Sequence, residues 1–149
     1  MKSFGILGGS FDPAHNGHLQ ISKIALKKLK LSKVFWVVTK KNPFKKKPFL
    51  TLAQRVNFAK KLSKNIKKIE VVYLDSVLKS SRTIILLKYF LTVKKYKNIY
   101  FIIGSDNLLK LHKWKSWKKI VNLAKLVVFS RKGYDRVSKK SIVAKYLKK

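Results

Sequence analysis

The chain has 149 residues, of which 46% are hydrophobic, so it is long enough and apolar enough to form one domain with a buried core. This composition excludes an intrinsically disordered chain, and the lack of cysteine excludes a disulfide framework and a thiolate metal site. A formal net charge of +32, from 37 Lys and Arg residues against five acidic ones, predicts anionic partners.

The positive charge is carried almost entirely by lysine. Only four of the basic residues are arginines, and the lysines are spread along the whole chain. Because arginine is the usual residue for bidentate contacts to bases and phosphates, a solvated lysine surface explains the charge at least as well as a nucleic-acid interface. The chain starts without a signal-peptide pattern, and no apolar run approaches the roughly 20 residues that cross a bilayer. We therefore expect a cytoplasmic protein that does not contact a membrane.

The first predicted elements are a strand, a glycine turn and a helix. Residues 4–7 are apolar and precede Gly8 and Gly9, where the lack of a Cβ lets the backbone approach a ligand closely. From Gly17 onward, apolar residues recur at helical spacing. This succession predicts an anion site, because free N–H groups and the helix dipole face one pocket. His18, in the first helical turn, can then donate to a phosphoryl oxygen as negative charge develops.

Strand-like and helix-like segments alternate through the rest of the chain. The predicted strands are residues 34–38, 69–73, 99–104 and 126–129, and the predicted helices are residues 52–62, 83–91 and 117–124. Thr51 is the predicted N-cap of the helix at 52–62. The alternation predicts an α/β fold with a parallel sheet of about five strands and helices on both faces. Because ligands bind at the carboxyl ends of such strands, we expect the segments that follow them to converge on one rim.

The segment from Gly8 to His18 reads Gly-Gly-Ser-Phe-Asp-Pro-Ala-His-Asn-Gly-His. It closely resembles the Gly-Gly-(Ser/Thr)-Phe-Asp-Pro-x-His-x-Gly-His signature of the nucleotidylyltransferase superfamily and, within it, the nicotinate-nucleotide adenylyltransferase family. The resemblance implies a Rossmann-like fold and transfer of the adenylyl group from ATP to nicotinate mononucleotide. The products would be deamido-NAD and pyrophosphate, in NAD biosynthesis. It also implies Mg²⁺ that arrives with ATP and is held largely by substrate oxygens and water, with no protein metal site.

The same resemblance implies a role for individual residues, and similar segments extend to about residue 134. The implied catalytic residues are His18 and His15, with Lys45 and Lys46 on the phosphates. The implied nucleotide-binding residues are Gly8, Gly9, Ser10, Phe11, Gly104, Asp106 and Arg131. The implied substrate-binding residues are Asp12, Arg55, Thr83 and Trp114. Three alternatives stay open: Lys47 in place of its neighbours, an N-cap role for Asp106, and a core position for either Trp114 or Trp117.

Two departures from the family pattern bear on activity. Residues 80–86 read Ser-Ser-Arg-Thr-Ile-Ile-Leu where the family has Ser-Tyr-Thr-x-Asp-Thr-Leu, so only Thr83 is carried over. The family's later Ser-Ser-x-x-x-Arg phosphate segment is also missing, so we expect residues 1–149 to be a single, shortened nucleotidyltransferase domain. The alternatives are a related adenylyltransferase, such as pantetheine-phosphate adenylyltransferase, and an inactive member that binds nucleic acid through its basic surface.

Overall fold

The sheet of this computed structural model, which describes residues 2–40, 47–130 and 132–148, has five parallel strands. The strands are β1 (Ser3–Gly9), β2 (Lys33–Val38), β3 (Ile69–Val72), β4 (Asn98–Gly104) and β5 (Lys125–Phe129). Their order across the sheet is β3-β2-β1-β4-β5, and each neighbouring pair is parallel. The winding of the chain therefore reverses at β1, which has β2 on one side and β4 on the other.

Helices connect the strands and cover the sheet. Between β1 and β4 lie α1 (Asn16–Lys28), α2 (Leu52–Ser63), α3 (Asp75–Leu78) and α4 (Thr83–Thr92). After β4 come α5 (Ser105–Lys110), a 3₁₀ turn (Leu111–Lys113), α6 (Trp117–Leu123), α7 (Asp135–Ser138) and α8 (Ile142–Leu147). Within the described ranges, no helix is both long enough and apolar enough to span a bilayer.

The core is divided between the two faces of the sheet. Successive side chains on β2 alternate, so Phe35 and Val37 pack in one cluster while Trp36 and Val38 pack in the other. The first cluster includes buried residues of α4, α5, α6 and α8, and the second includes buried residues of α1 and α2. Burial on both faces explains why the strands read as continuous apolar runs.

The predicted α/β fold with a parallel sheet is confirmed. The strands and the helices at 52–62, 83–91 and 117–124 lie within one or two residues of their predicted bounds, and Thr51 caps α2 as expected. Gly8 and Gly9, predicted to form a turn, are instead the last two residues of β1 and pair with Val37 and Val38. The helices of four to six residues, α3, α5, α7 and α8, were given no predicted bounds, because so few residues do not display helical periodicity.

Candidate active site at the carboxyl ends of the strands

The glycines of the first motif and Gly104 lie at the carboxyl ends of two neighbouring strands. Gly8 and Gly9 end β1, Gly104 ends β4, and the pairing of Leu7 with Ile102 places these ends beside each other. This is also where the order of the strands reverses. In open α/β sheets, the crevice outside such a reversal is the usual position of a bound ligand. The geometry thus places the predicted anion site at the position that the fold favours.

The space around Gly8 and Gly9 is open. A Cβ built on Gly8 would have Val37 O as its nearest neighbour at 3.9 Å, and one on Gly9 would lie 3.8 Å from the Phe11 ring. Both distances are ordinary van der Waals contacts, so the protein's own packing does not require glycine at either position. A bare backbone here leaves room for a group that approaches from outside the protein.

The two histidines cap the N-terminus of α1 reciprocally. His15 is the N-cap residue, and its Nδ1 accepts the N–H of Gly17 at 3.0 Å. His18 Nδ1 accepts the N–H of His15, also at 3.0 Å. Because each Nδ1 uses its lone pair as an acceptor, the proton of each neutral imidazole is carried by Nε2. The helix start thus holds two adjacent Nε2–H donors, with the ring centroids 4.1 Å apart.

Gly17 is required by this arrangement. A Cβ at this position would lie 2.7 Å from His15 Cε1 and 2.8 Å from His15 Nδ1. Contacts this short would displace the His15 ring. The displacement would break the hydrogen bond that His15 Nδ1 accepts from the N–H of Gly17. Glycine between the two histidines therefore makes space for the imidazole that caps the helix.

The start of α2 shows that capping does not require histidine. There, Thr51 Oγ1 accepts the N–H of Gln54 at 3.1 Å, and Gln54 Oε1 accepts the N–H of Thr51 at 2.9 Å. A hydroxyl and an amide thus make the same reciprocal bonds, as in an ordinary capping box. At the start of α1 two imidazole rings stand where a hydroxyl and an amide would complete the cap, which indicates a second role for the histidines.

Arg55 is buried under the rim. Its side chain is 2% exposed, and its N–H groups donate to the carbonyl oxygens of Ser10, Thr39, Lys40 and Leu50 at 2.7–3.3 Å. These bonds use four of the five N–H groups of the guanidinium. The side chain thereby joins the segments that follow β1 and β2 to the start of α2. Arg55 was predicted to bind substrate, but its geometry is that of a residue that positions the rim.

Two aspartates fix the loop that follows β2. Asp12 Oδ2 accepts the N–H of Phe49 at 2.7 Å, and Asp12 Oδ1 accepts the N–H of Leu50 at 2.9 Å. At the other end of the loop, Asp75 Oδ2 accepts the N–H of Lys40 at 2.8 Å. Both ends of the loop are therefore anchored. The predicted phosphate-binding residues Lys45 and Lys46 belong to this loop in sequence, but they lie outside the described residues. The predicted Arg131, which follows β5, also lies outside them.

Burial raises the pKa of Asp75 above its ordinary value, although the hydrogen bond from Lys40 and the positive charges of Arg55 and Lys40 act in the opposite direction. Asp75 follows β3 and was not singled out in the sequence. The signal available there was the scarcity of acidic residues, because the chain has only five and this one lies shortly after β3.

At the end of β4, the carboxylate of Asp106 lies close to the Cα of Gly104. Gly104 is the N-cap residue of α5, and Asp106 lies in the first helical turn, so the alternative of an N-cap role for Asp106 is wrong. A Cβ on Gly104 would lie 2.5 Å from Asp106 Oδ1. Glycine at this position therefore makes space for the carboxylate. The predicted contact of Asp106 with a ribose stays a prediction.

The remaining predicted residues lie further along the chain. Thr83 is the first residue of α4. Trp114 follows the 3₁₀ turn, is half-buried, and packs edge-on against Phe101 with ring centroids 6.0 Å apart. Trp117 packs edge-on against Tyr146 at 5.1 Å. Both tryptophans border the first core cluster, so the stacking of a pyridine ring on Trp114 remains a prediction.

Comparison with known proteins agrees with this geometry. The family model described as cytidylyltransferase-like matches residues 6–148. A protein of Pelagibacter ubique (strain HTCC1062), named probable nicotinate-nucleotide adenylyltransferase, is 47% identical over 138 residues, which are 93% of this chain and 76% of that protein. A protein of the same name from Clostridium novyi (strain NT) is 40% identical over 91% of this chain and 68% of its own length. The chain belongs to the nicotinate-nucleotide adenylyltransferase family.

Solved structures of this family share the fold. Nicotinic acid mononucleotide adenylyltransferase from Plasmodium falciparum, complexed with NaAD, has a TM-score of 0.80 and 22% identity. The match covers 94% of this chain and 71% of that one. The structure of a protein from Vibrio parahaemolyticus, named putative nicotinate-nucleotide adenylyltransferase, has a TM-score of 0.72 and 21% identity, over 86% of this chain and 77% of that one. At this identity, the likeness establishes the architecture.

The Arg55 network predicts a large effect from a substitution that keeps the charge. Arg55→Lys should lower the free energy of unfolding by about 3 kcal/mol, because three ammonium donors on a flexible stem cannot replace four fixed, part-buried bonds to backbone carbonyls. Urea unfolding measures this change. Arg136→Lys, at an exposed position in α7, is the matched control and should change the free energy by less than about 0.5 kcal/mol. Equal effects of the two substitutions would contradict the role given to Arg55.

The raised pKa of Asp75 predicts that the free energy of unfolding depends on pH. Since its pKa is raised in the fold, the stability that Asp75 contributes is complete below its ordinary pKa of 3.8 and is lost as pH rises through the folded value. Asp75→Asn removes this loss and retains an oxygen acceptor for the N–H of Lys40. The free energy of unfolding of the variant, relative to the native chain, should therefore increase from acidic to neutral pH.

Urea unfolding at a series of pH values measures this difference. Glu70→Gln, at the exposed pair with Lys33, controls for the removal of one carboxylate from a chain of net charge +32. A relative stability that falls with rising pH, after this control is subtracted, would show that the sign is wrong.

Proposed function

We propose that this chain transfers the adenylyl group of ATP to nicotinate mononucleotide, giving deamido-NAD and pyrophosphate, as a step in NAD biosynthesis. The observation that carries the proposal is the pair of adjacent histidine rings at the start of α1, in a cap that a hydroxyl and an amide complete elsewhere in the chain. They lie at the carboxyl end of β1, where the sheet favours a ligand. The names of the relatives specify the pyridine nucleotide branch of the superfamily.

In this reaction, a phosphate oxygen of the mononucleotide attacks the α-phosphorus of ATP. A new P–O bond forms, the bond between the α-phosphorus and the bridging oxygen breaks, and pyrophosphate leaves. The transfer requires alignment of the two nucleotides and stabilisation of the charge on the phosphoryl oxygens, more than it requires covalent chemistry by the protein. We assign charge stabilisation to Nε2–H of His18, with His15 donating to the neighbouring phosphate oxygens.

The remaining residues take roles that agree with their surroundings. Gly8, Gly9, Ser10 and Phe11 border the space for the ATP phosphates, and Gly104 and Asp106 border the space for the adenosine. Thr83 and Trp114 are the proposed contacts of the pyridine mononucleotide. Asp12 and Arg55 position the rim, because their polar atoms are already bonded to backbone groups. Lys45, Lys46 and Arg131 remain predictions for the phosphates.

Magnesium enters this proposal together with ATP. Among the described residues, no three His, Cys, Asp or Glu side chains are grouped so that they could hold a metal ion. Both oxygens of Asp12 accept backbone N–H groups. This donor set fits an ion coordinated mainly by phosphate oxygens and water, which would neutralise part of the phosphate charge.

Because ATP is the proposed substrate, the cytoplasm is the proposed compartment. That residues 1–149 form a single domain stays a prediction.

The capping box of α2 provides the experiment. The double variant His15→Thr/His18→Gln gives α1 the residue pair that caps α2, so the helix start should be retained while both ring N–H donors are lost. Turnover should fall by about 100-fold or more, and the midpoint of thermal unfolding should stay close to that of the native chain. Pyrophosphate release from ATP and nicotinate mononucleotide, with identification of the dinucleotide product, measures the reaction.

Two results would contradict the proposal. Near-native turnover in the stable double variant would exclude the histidines as charge-stabilising groups. Turnover by the native chain with phosphopantetheine, and not with nicotinate mononucleotide, would move the enzyme to the pantetheine-phosphate branch. Nicotinamide mononucleotide as a third acceptor measures the preference between the acid and the amide form.

A second candidate function is polyanion binding, and one feature of the surface favours it. A cleft of about 590 Å³ lies at the amino ends of β1 and β2, on the opposite edge of the sheet from the histidines. It is lined by Lys2, Phe4, Ser32, Lys33, Lys94, Lys95, Tyr96 and Lys97. Five lysines around a concave surface attract phosphate groups.

Oligonucleotide binding tests this candidate. If the cleft binds nucleic acid, Lys94→Gln/Lys95→Gln/Lys97→Gln should weaken binding and reduce its salt dependence more than three lysine substitutions in α1 and α2 (Lys27→Gln/Lys28→Gln/Lys60→Gln). Equal effects of the two triple variants would indicate non-specific attraction to the overall charge of the chain.

A further inference from the structure

Trp36 is connected to the backbone of His18 by two hydrogen bonds, one buried and one part-buried. Its side chain, on β2, is 0% exposed, and its indole N–H donates to Ser22 Oγ at 2.8 Å. Ser22 is also 0% exposed and donates its hydroxyl proton to the carbonyl oxygen of His18 at 2.8 Å. Because an indole nitrogen can only donate, the direction of both bonds is fixed. The chain of bonds runs from the second strand of the sheet to the first turn of α1.

The same tryptophan also packs beside the imidazole of His18. The Trp36 ring stacks on Phe11 with centroids 5.4 Å apart, and Phe11 lies 4.6 Å from the His18 ring. The Trp36 and His18 ring centroids are 5.8 Å apart. Phe11 reaches this position from a left-handed backbone conformation with φ of 49°, which is uncommon for a residue other than glycine. Both the backbone and the ring of His18 are thus supported by Trp36.

An ordinary core position does not account for this arrangement. Ser63 in α2 makes the same kind of bond to a carbonyl four residues earlier, at 2.9 Å, and is also buried. The hydroxyl of Ser22 therefore needs no tryptophan to be satisfied as a donor. A buried indole N–H is costly unless it has an acceptor, and here Ser22 Oγ is that acceptor, whereas a phenylalanine and an alanine would fill this space without polar groups. The two polar groups, the Trp36 indole N–H and the Ser22 hydroxyl, form a chain of bonds that ends at the carbonyl oxygen of His18.

We propose that Trp36 and Ser22 are positioning residues that fix the place and orientation of His18 for the transfer of the adenylyl group. Trp36 acts through the Ser22 hydroxyl on the backbone of the first helical turn, and through Phe11 on the imidazole plane. The kinetic consequence of this inference rests on the function proposed above. Its structural consequence, the coupling of His18 to Trp36, does not depend on the reaction.

Ser22→Ala, with Ser63→Ala as its matched control, tests the kinetic consequence. Both substitutions remove one buried hydroxyl and one bond to a carbonyl four residues earlier, but only Ser22 is linked to the rim. Ser22→Ala should lower kcat by about 10- to 100-fold, with KM for ATP within about threefold of the native value, since a displaced catalytic group mainly affects the transition state. Trp36→Phe, which keeps a ring but removes the N–H, should lower kcat in the same way.

A nuclear magnetic resonance measurement separates this inference from the proposed function. The imidazole ¹⁵N signals of His18, recorded without substrate, should shift in Ser22→Ala and Trp36→Phe but not in Ser63→Ala. These shifts should appear whether or not the native chain is active. A native chain without adenylyl transfer would overturn the proposed function alone. His18 signals that are the same in all three variants, or kcat values that are equal in Ser22→Ala and Ser63→Ala, would overturn the positioning role.

Discussion

The buried guanidinium of Arg55 is the interaction on which the rim of the sheet depends. Its bonds to Ser10 and Thr39 connect the ends of β1 and β2, and its bond to Leu50 connects both to the start of α2. A buried cation is stable only when its donors are satisfied, and the planar fork of arginine satisfies several carbonyls at once. With only four arginines against a large excess of lysines, the chain has one of them at the position where lysine would fail.

The aspartates, like Arg55, lie near the carboxyl ends of the strands and bond to the segments that follow them. All four aspartates come after the ends of strands. Asp12 and Asp75 accept bonds from backbone N–H groups, and Asp135 accepts a bond from the Ser130 hydroxyl. Asp106 also occupies the space that Gly104, which has no Cβ, leaves open. Because the strands are parallel, these carboxylates lie at one edge of a protein that is otherwise strongly basic. Their bonds shape the loops around the site, while the positive charge elsewhere attracts anionic substrates.

The sequence predicted the strands, the longer helices and the first motif, because apolar runs, Gly-Gly and the His-x-Gly-His spacing are local patterns. It did not predict the bond from the Trp36 indole N–H to Ser22 or from the Lys40 backbone N–H to Asp75, because these pairs meet only after strand register and helix packing are set. It also missed the reciprocal cap of α1, since histidine is not among the usual capping residues. Arg55 was identified but given a substrate contact, because burial of its side chain is a consequence of tertiary structure.

The proposed chemistry depends on which ring nitrogen of His15 and of His18 carries the proton, since it requires Nε2–H groups that donate to the phosphates. The most direct test is a ¹H–¹⁵N correlation spectrum of the histidine side chains at about pH 8, where free imidazole is neutral. The chain has only three histidines, so the signals are few. We predict the Nε2–H form for both His15 and His18, with both signals shifting when ATP binds. A proton on Nδ1 of either ring would contradict the capping geometry and the role in phosphate binding derived from it.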